Sequence, residues 1–136
     1  MQASLTGHLV LATLHTNNAC DTINRLKDLK APAYLLSNTL KTIISQRLVL
    51  KKCELCFNKG CAACNYTKYK NREVISEVLY INEEIAAFLL NNKDSSFIKQ
   101  YLHEKDFVFM EEDAKNKIKN NRTSLEEVNN VLNQKL

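Results

Sequence analysis

The 136-residue sequence predicts an α/β fold. Three observations carry that prediction. Leu9 to Leu14 is a short apolar run between polar flanks, Val74 to Ile81 is a second run rich in branched residues, and most of the remaining chain repeats apolar residues at helical spacing. Only two glycines and one proline occur, so regular structure, mainly helix, should fill the chain. A hydrophobic content of 45% with 25% charged residues suits a folded globular domain, or one piece of a larger one.

Each element follows in order. Leu9–Leu14 is apolar at odd and even positions, as in a strand of a parallel sheet buried on both faces. Thr16, Asn17 and Asn18 offer N-caps for a helix whose stripe is Ala19, Ile23, Leu26 and Leu29. Pro32 ends that helix or opens the next. Leu36, Leu40, Ile43, Ile44 and Leu48 predict a second helix. Residues 51–72 break the pattern, and Val74–Ile81 reads as a strand. Helical stripes then follow at Ile85, Phe88 and Leu89, at Phe97, Ile98, Tyr101 and Leu102 after Asp94 or Ser95 as cap, and at Met110, Ala114 and Ile118. The last helix opens at Ser124 with a capping box in which Glu127 reaches back, and Leu125, Val128 and Leu132 form its apolar face. The chain thus divides into residues 1–50, a cysteine segment at 51–72, and a strand with a helical region at 73–136. A lone strand at 9–14 cannot satisfy its own backbone, so its neighbours are expected from outside these residues.

Cys53-x2-Cys56 and Cys61-x2-Cys64 are two knuckles four residues apart. A two-residue gap lets two thiolates converge on one ion, and two such gaps make a closed tetrahedral site. Four protein ligands leave no position for water, so the expected role is a structural zinc, contributing on the order of 10 kcal/mol to local folding. An iron–sulfur cluster is the rival occupant. Gly60 can supply the turn within the short Phe57–Gly60 loop, and Lys51, Lys52, Lys59 and Lys68 would offset the thiolate charge. Cys20 stands apart and reads as a core or surface thiol. No apolar run approaches the roughly 20 residues of a membrane span. With no signal peptide visible either, the expected compartment is the cytoplasm, where thiols stay reduced. The net charge of +4 is too mild to argue for nucleic acid or lipid.

The run Thr6-Gly7-His8-Leu9-Val10-Leu11-Ala12-Thr13-Leu14-His15-Thr16-Asn17 resembles the histidine box of the type II secretion and type IV pilus assembly ATPases. The likeness continues, in order, through Ala19, Arg25-Leu26, Ile44-Ser45-Gln46-Arg47-Leu48-Val49, the paired knuckles, Tyr69, Arg72, Ile75, Glu77 and the closing Thr123–Val128. It implies the C-terminal part of a RecA-like P-loop ATPase core, assembled as a homohexamer at the cytoplasmic face of the inner membrane. There it would act on a platform protein to drive secretion, pilus assembly or DNA uptake. It further implies that His15 contacts the ATP γ-phosphate as a catalytic residue. His8, at the other end of the run, is implied to be structural or to support the nucleotide site from behind, and Arg25 and Arg47 match basic positions that can serve nucleotide or subunit contacts.

The resemblance has departures. Lys68, Asn71 and Val74 stand where the family typically has glycine, and residues 82–122 match loosely. Gly7 and Gly60 cannot build a G-x4-G-K-[ST] phosphate loop, and no acidic Walker B strand precedes residue 6. ATP and magnesium are therefore expected only with an upstream Walker A/B half, and this chain should not hydrolyse ATP alone. The alternative is a freestanding zinc module binding nucleic acid or a protein. It would use Lys51, Lys52, Lys68, Lys70 and Arg72 for charge, and Phe57, Tyr66 and Tyr69 for stacking. In the motor reading no nucleic acid is expected.

Overall fold

The computed structural model describes residues 2–56, 58–133 and 136. In chain order it contains α1 (Gln2–Leu5), α2 (Ala19–Asp28), α3 (Ala33–Thr39), β1 (Thr42–Lys52), a 3-10 turn (Ala62–Cys64), β2 (Tyr69–Tyr80), α4 (Glu83–Leu90), α5 (Ser95–His103), α6 (Met110–Lys119) and α7 (Leu125–Leu132). These form two compact units that interleave along the chain: Met1–Ser45 with Val78–Phe107, and Gln46–Glu77 with Val108–Leu136. Among the described residues no helix is long and apolar enough to cross a membrane.

The mixed helix and strand content agrees with the predicted class, but two elements differ from expectation. Residues 8–16 have no regular structure, and Leu9 and Leu11 are 88% and 87% exposed. The run has strand composition, yet among the described residues none of its backbone groups from Leu9 to Leu14 finds a hydrogen-bond partner. A strand exists only through such partners. The predicted second helix also stops early. It ends at Thr39, and Thr42–Lys52 is a strand. Ile43, Ser45 and Val49 are buried while Ile44, Leu48 and Leu50 are exposed, a two-residue period that apolar residues on both faces had concealed.

β1 and β2 pair in a two-stranded sheet. Cys53 N–H donates to Lys68 O (2.8 Å) and Ile81 N–H to Lys41 O (2.9 Å), so the strands run antiparallel. In the first unit α2 packs on α5 and α3 on α4. Ile23, Leu36, Ile85, Leu89 and Ile98 are fully buried there. Phe88 meets Phe97 and Tyr101 edge-on, at 5.0 and 5.1 Å between ring centres. Two caps fall as the sequence indicates: Asn18 accepts from Asp21 N–H and Asp94 from Phe97 N–H; Asn82 also caps α4, accepting from Ile85 N–H. Pro32 opens α3.

The second unit has a core of Val49, Ile75, Met110, Ala114 and Val128, with Ile118, Val131, Leu132 and Leu136 packed against it. Groups from its two helices and the loop between them close the ribbon's backbone. On β1, Leu50 N–H donates to Glu127 Oε1 (2.9 Å), Thr123 Oγ1 donates to Leu50 O (2.8 Å), and Lys52 N–H donates to Arg122 O (2.8 Å). On β2, Ser76 N–H donates to Asp113 Oδ2 (2.9 Å), and Lys117 Nζ donates to Val74 O. Buried Glu77 accepts Met110 N–H (3.1 Å) at the start of α6. Ser124 caps α7 as expected, accepting Glu127 N–H (3.1 Å). The reciprocal half of the capping box is absent, because the Glu127 carboxylate is drawn to the unpaired Leu50 N–H of β1.

Candidate metal centre and the histidine segment

The segment joining β1 to β2 holds Cys53, Cys56, Cys61 and Cys64, whose sulfurs all lie within 4.8 Å of one another. Cys53 to Cys61 and Cys56 to Cys64 are each 3.9 Å apart, and Cys61 to Cys64 is 3.8 Å. A tetrahedral ion with 2.3 Å metal–sulfur bonds sets its ligands about 3.8 Å apart, so the cluster fits a single ion. Clusters of several irons spread their thiolates over separate metal atoms and fit this compass less well. Cys53, Cys56 and Cys64 are buried and Cys61 is half-buried.

Local backbone sets this geometry. The 3-10 turn at Ala62–Cys64 brings Cys61 N–H to 3.3 Å from Cys64 Sγ. That bond is the main cause holding the Cys64 thiol below its usual range, which favours the thiolate form that a metal requires. Burial pushes the Cys61 thiol up to about 11, so metal binding there displaces a proton. Gly60 sits at φ +84, and a Cβ there would come within 3.1 Å of Tyr66 O, so the turn requires glycine. Asn58, Asn65, Tyr66, Lys68 and Asn71 are also left-handed. Lys68 and Asn71 thus keep a glycine-like backbone at two positions where the sequence departs from the glycine pattern.

Two of the lysines have local partners. Lys51 Nζ lies 2.7 Å from Glu54 Oε1 and holds that carboxyl below its usual range, while Lys52 Nζ donates to Asn121 Oδ1 (2.7 Å). Of the aromatics considered for stacking, Tyr66 is exposed, Tyr69 shares its hydroxyl with Ser124 Oγ (2.8 Å), and Phe57 lies outside the described residues. Cys20 is buried on α2, in keeping with a core thiol.

His8 and His15 flank the irregular run and both are exposed. His8 Nδ1 lies 3.0 Å from Thr6 Oγ1. Arg25 is exposed on α2, and Arg47 is half-buried on β1, where its guanidinium donates to Gln46 O (3.0 Å). No hydrogen bond among the described residues joins His15 to His8 or Arg25. The structure gathers the four cysteines into one site. The sequence reading passed over Thr22 and met Ser45 only as part of the family likeness; both are buried polar residues whose hydroxyls bond the turn after His15. The spacing of Thr22 from the Asn18 cap was the one available signal.

Residues 1–130 match the family described as Type II/IV secretion system protein. The Type II secretion system protein HxcR of Pseudomonas aeruginosa is 36% identical over 136 residues, covering 94% of this chain and 29% of that protein. The Type IV pilus assembly ATPase PilB of Thermus thermophilus is 33% identical over 154 residues, covering 93% of this chain and 17% of that protein. Among solved structures, the pilus retraction motor PilT with bound ADP superposes with a TM-score of 0.64 at 27% identity, covering 93% of this chain and 34% of that one. The chain thus has an ATPase-like fold and spans about a third or less of the length of the proteins it matches.

Proposed function

Because the chain belongs to the Type II/IV secretion system protein family, we propose that it is the C-terminal part of a RecA-like, homohexameric ATPase that powers type II secretion, type IV pilus assembly or DNA uptake. The observation that carries this reading is the match over 94% of this chain to a Type II secretion system protein, in a chain holding both the histidine segment and a four-thiolate cluster. In this reading Cys53, Cys56, Cys61 and Cys64 bind zinc, which locks the end of the β1–β2 ribbon. Its role is structural, because all four coordination positions are protein thiolates.

His15 is the proposed catalytic contact to the γ-phosphate. A ring N–H can donate to phosphate oxygens as their charge develops. His8, Arg25 and Arg47 are proposed for nucleotide or subunit contacts. ATP and magnesium would be held with the upstream Walker A/B portion. The other partners are further subunits and an inner-membrane platform protein, with the enzyme peripheral at the cytoplasmic face.

Elemental mass spectrometry on the purified 136-residue chain, with an ATP titration, tests the first part: one zinc per chain and no ATP binding is the expected result. Absence of stoichiometric metal refutes the zinc site, and tight ATP binding refutes the division of labour. In the complete enzyme, His15→Ala should lower the ATPase rate and leave zinc content unchanged; a wild-type rate removes His15 from the mechanism.

A further inference from the structure

In the first unit the buried polar residues among those described are Thr22 and Ser45. Burying a hydroxyl is costly unless it finds partners, so where each hydroxyl points is informative. Between them they reach three consecutive residues. Thr22 Oγ1 donates to Asn18 O (3.1 Å), which leaves Thr16 Oγ1 to donate to Thr22 Oγ1 (2.7 Å). Ser45 Oγ, from β1, donates to Asn17 O (3.3 Å). Asn18 is fixed again by Asp21: its Oδ1 accepts Asp21 N–H (2.7 Å) and its Nδ2 donates to Asp21 Oδ2 (2.9 Å). Thr16, Asn17 and Asn18 are therefore each held by a side-chain bond, while Leu9–Leu14 have no such bonds to described residues. His15 stands at the change from one state to the other.

We infer that Thr22 and Ser45 are positioning residues for His15: they clamp the turn immediately after it and so fix the point from which the imidazole projects. This rests on the proposed phosphate contact of His15, and it adds two residues to the site that act without touching nucleotide. A reacting group displaced by about 1 Å loses on the order of a hundredfold in rate, so a clamp one residue away has leverage.

Hydrogen exchange on this chain is the first test. Thr22→Val and Ser45→Ala should each speed exchange at least tenfold at the Asp21 and residue-22 amides, which donate to Asn18, with the later amides of α2 unchanged, and Thr22→Ser should restore protection. Loss of protection along the whole of α2 would mean that Thr22 serves only to hold the helix. In the complete ATPase the same variants should lower kcat about tenfold with KM within twofold, and should slow a His15→Ala enzyme no further. If His15→Ala is slow but Thr22→Val and Ser45→Ala turn over at wild-type rate, or if the effects simply multiply, the clamp is overturned. If His15→Ala itself is at wild-type rate, the failure lies with the phosphate contact.

Discussion

The Leu48-Val49-Leu50 stretch of β1, in the second unit, and the Leu9–Leu14 run are alike in sequence and opposite in fate. Both are apolar on two faces. The ribbon is ordered because its outward backbone groups are taken up by Glu127, Thr123, Asp113 and Lys117, and its inner face by the core around Val49 and Ile75. The run has strand composition and no partner among the described residues, and its leucines stay in water. Strand propensity alone does not make a strand. Edges must be satisfied and faces covered, here by two helices contributed from far along the chain.

The comparison can be broken most forcefully at the metal. Cys61→Ser should abolish stoichiometric metal and unprotect the Cys53 and Lys68 amides, while Val49 and Ile75 stay protected; hydrogen exchange with elemental analysis checks both. A variant that is metal-free yet fully protected would remove the structural role of the site. Next, Ile75→Ala leaves a hole in a fully buried position and should cost about 2–5 kcal/mol in the unfolding of the second unit, read by denaturant titration. Thr123→Val removes the hydroxyl that satisfies Leu50 O and should cost about 1–2 kcal/mol, appearing as faster exchange along β1. Smallest is Leu11→Ser. In this chain it should change stability by less than about 0.5 kcal/mol, because the side chain is already exposed. If Leu11→Ser instead destabilises the isolated chain strongly, the run is ordered here and the contrast fails.

Legibility in the sequence followed how local each determinant is. Caps at Asn18, Asp94 and Ser124 were readable because the side chain and the amide it accepts lie three residues apart. The cysteine cluster was readable because its spacing is its geometry. β2 was readable from Val74, Ile75, Val78 and Leu79, although it begins earlier, at Tyr69. β1 was misread as helix, since Leu36, Leu40, Ile43, Ile44 and Leu48 satisfy a helical period and only pairing with β2 decides otherwise. The capping box failed for the same reason: Glu127 had a long-range competitor 77 residues away. The interleaving of two units, and the convergence of Thr22 and Ser45 on one turn, depend on contacts that no linear pattern displays.

The left-handed residues around the cysteines bear on how firmly an ion is held. Between Asn58 and Asn71, five residues other than glycine occupy a backbone region that costs about 1 kcal/mol each, less for asparagine. Part of whatever free energy an ion releases on binding must go into holding that shape. Any ion held there would therefore bind more weakly than the four sulfurs alone would give, and competing chelators would gain by the same factor. Replacing Lys68 by glycine would relieve about 1 kcal/mol of this and slow transfer of the ion to a chelator roughly fivefold. The residues that bend the chain would thus also set how readily it exchanges its metal with its surroundings.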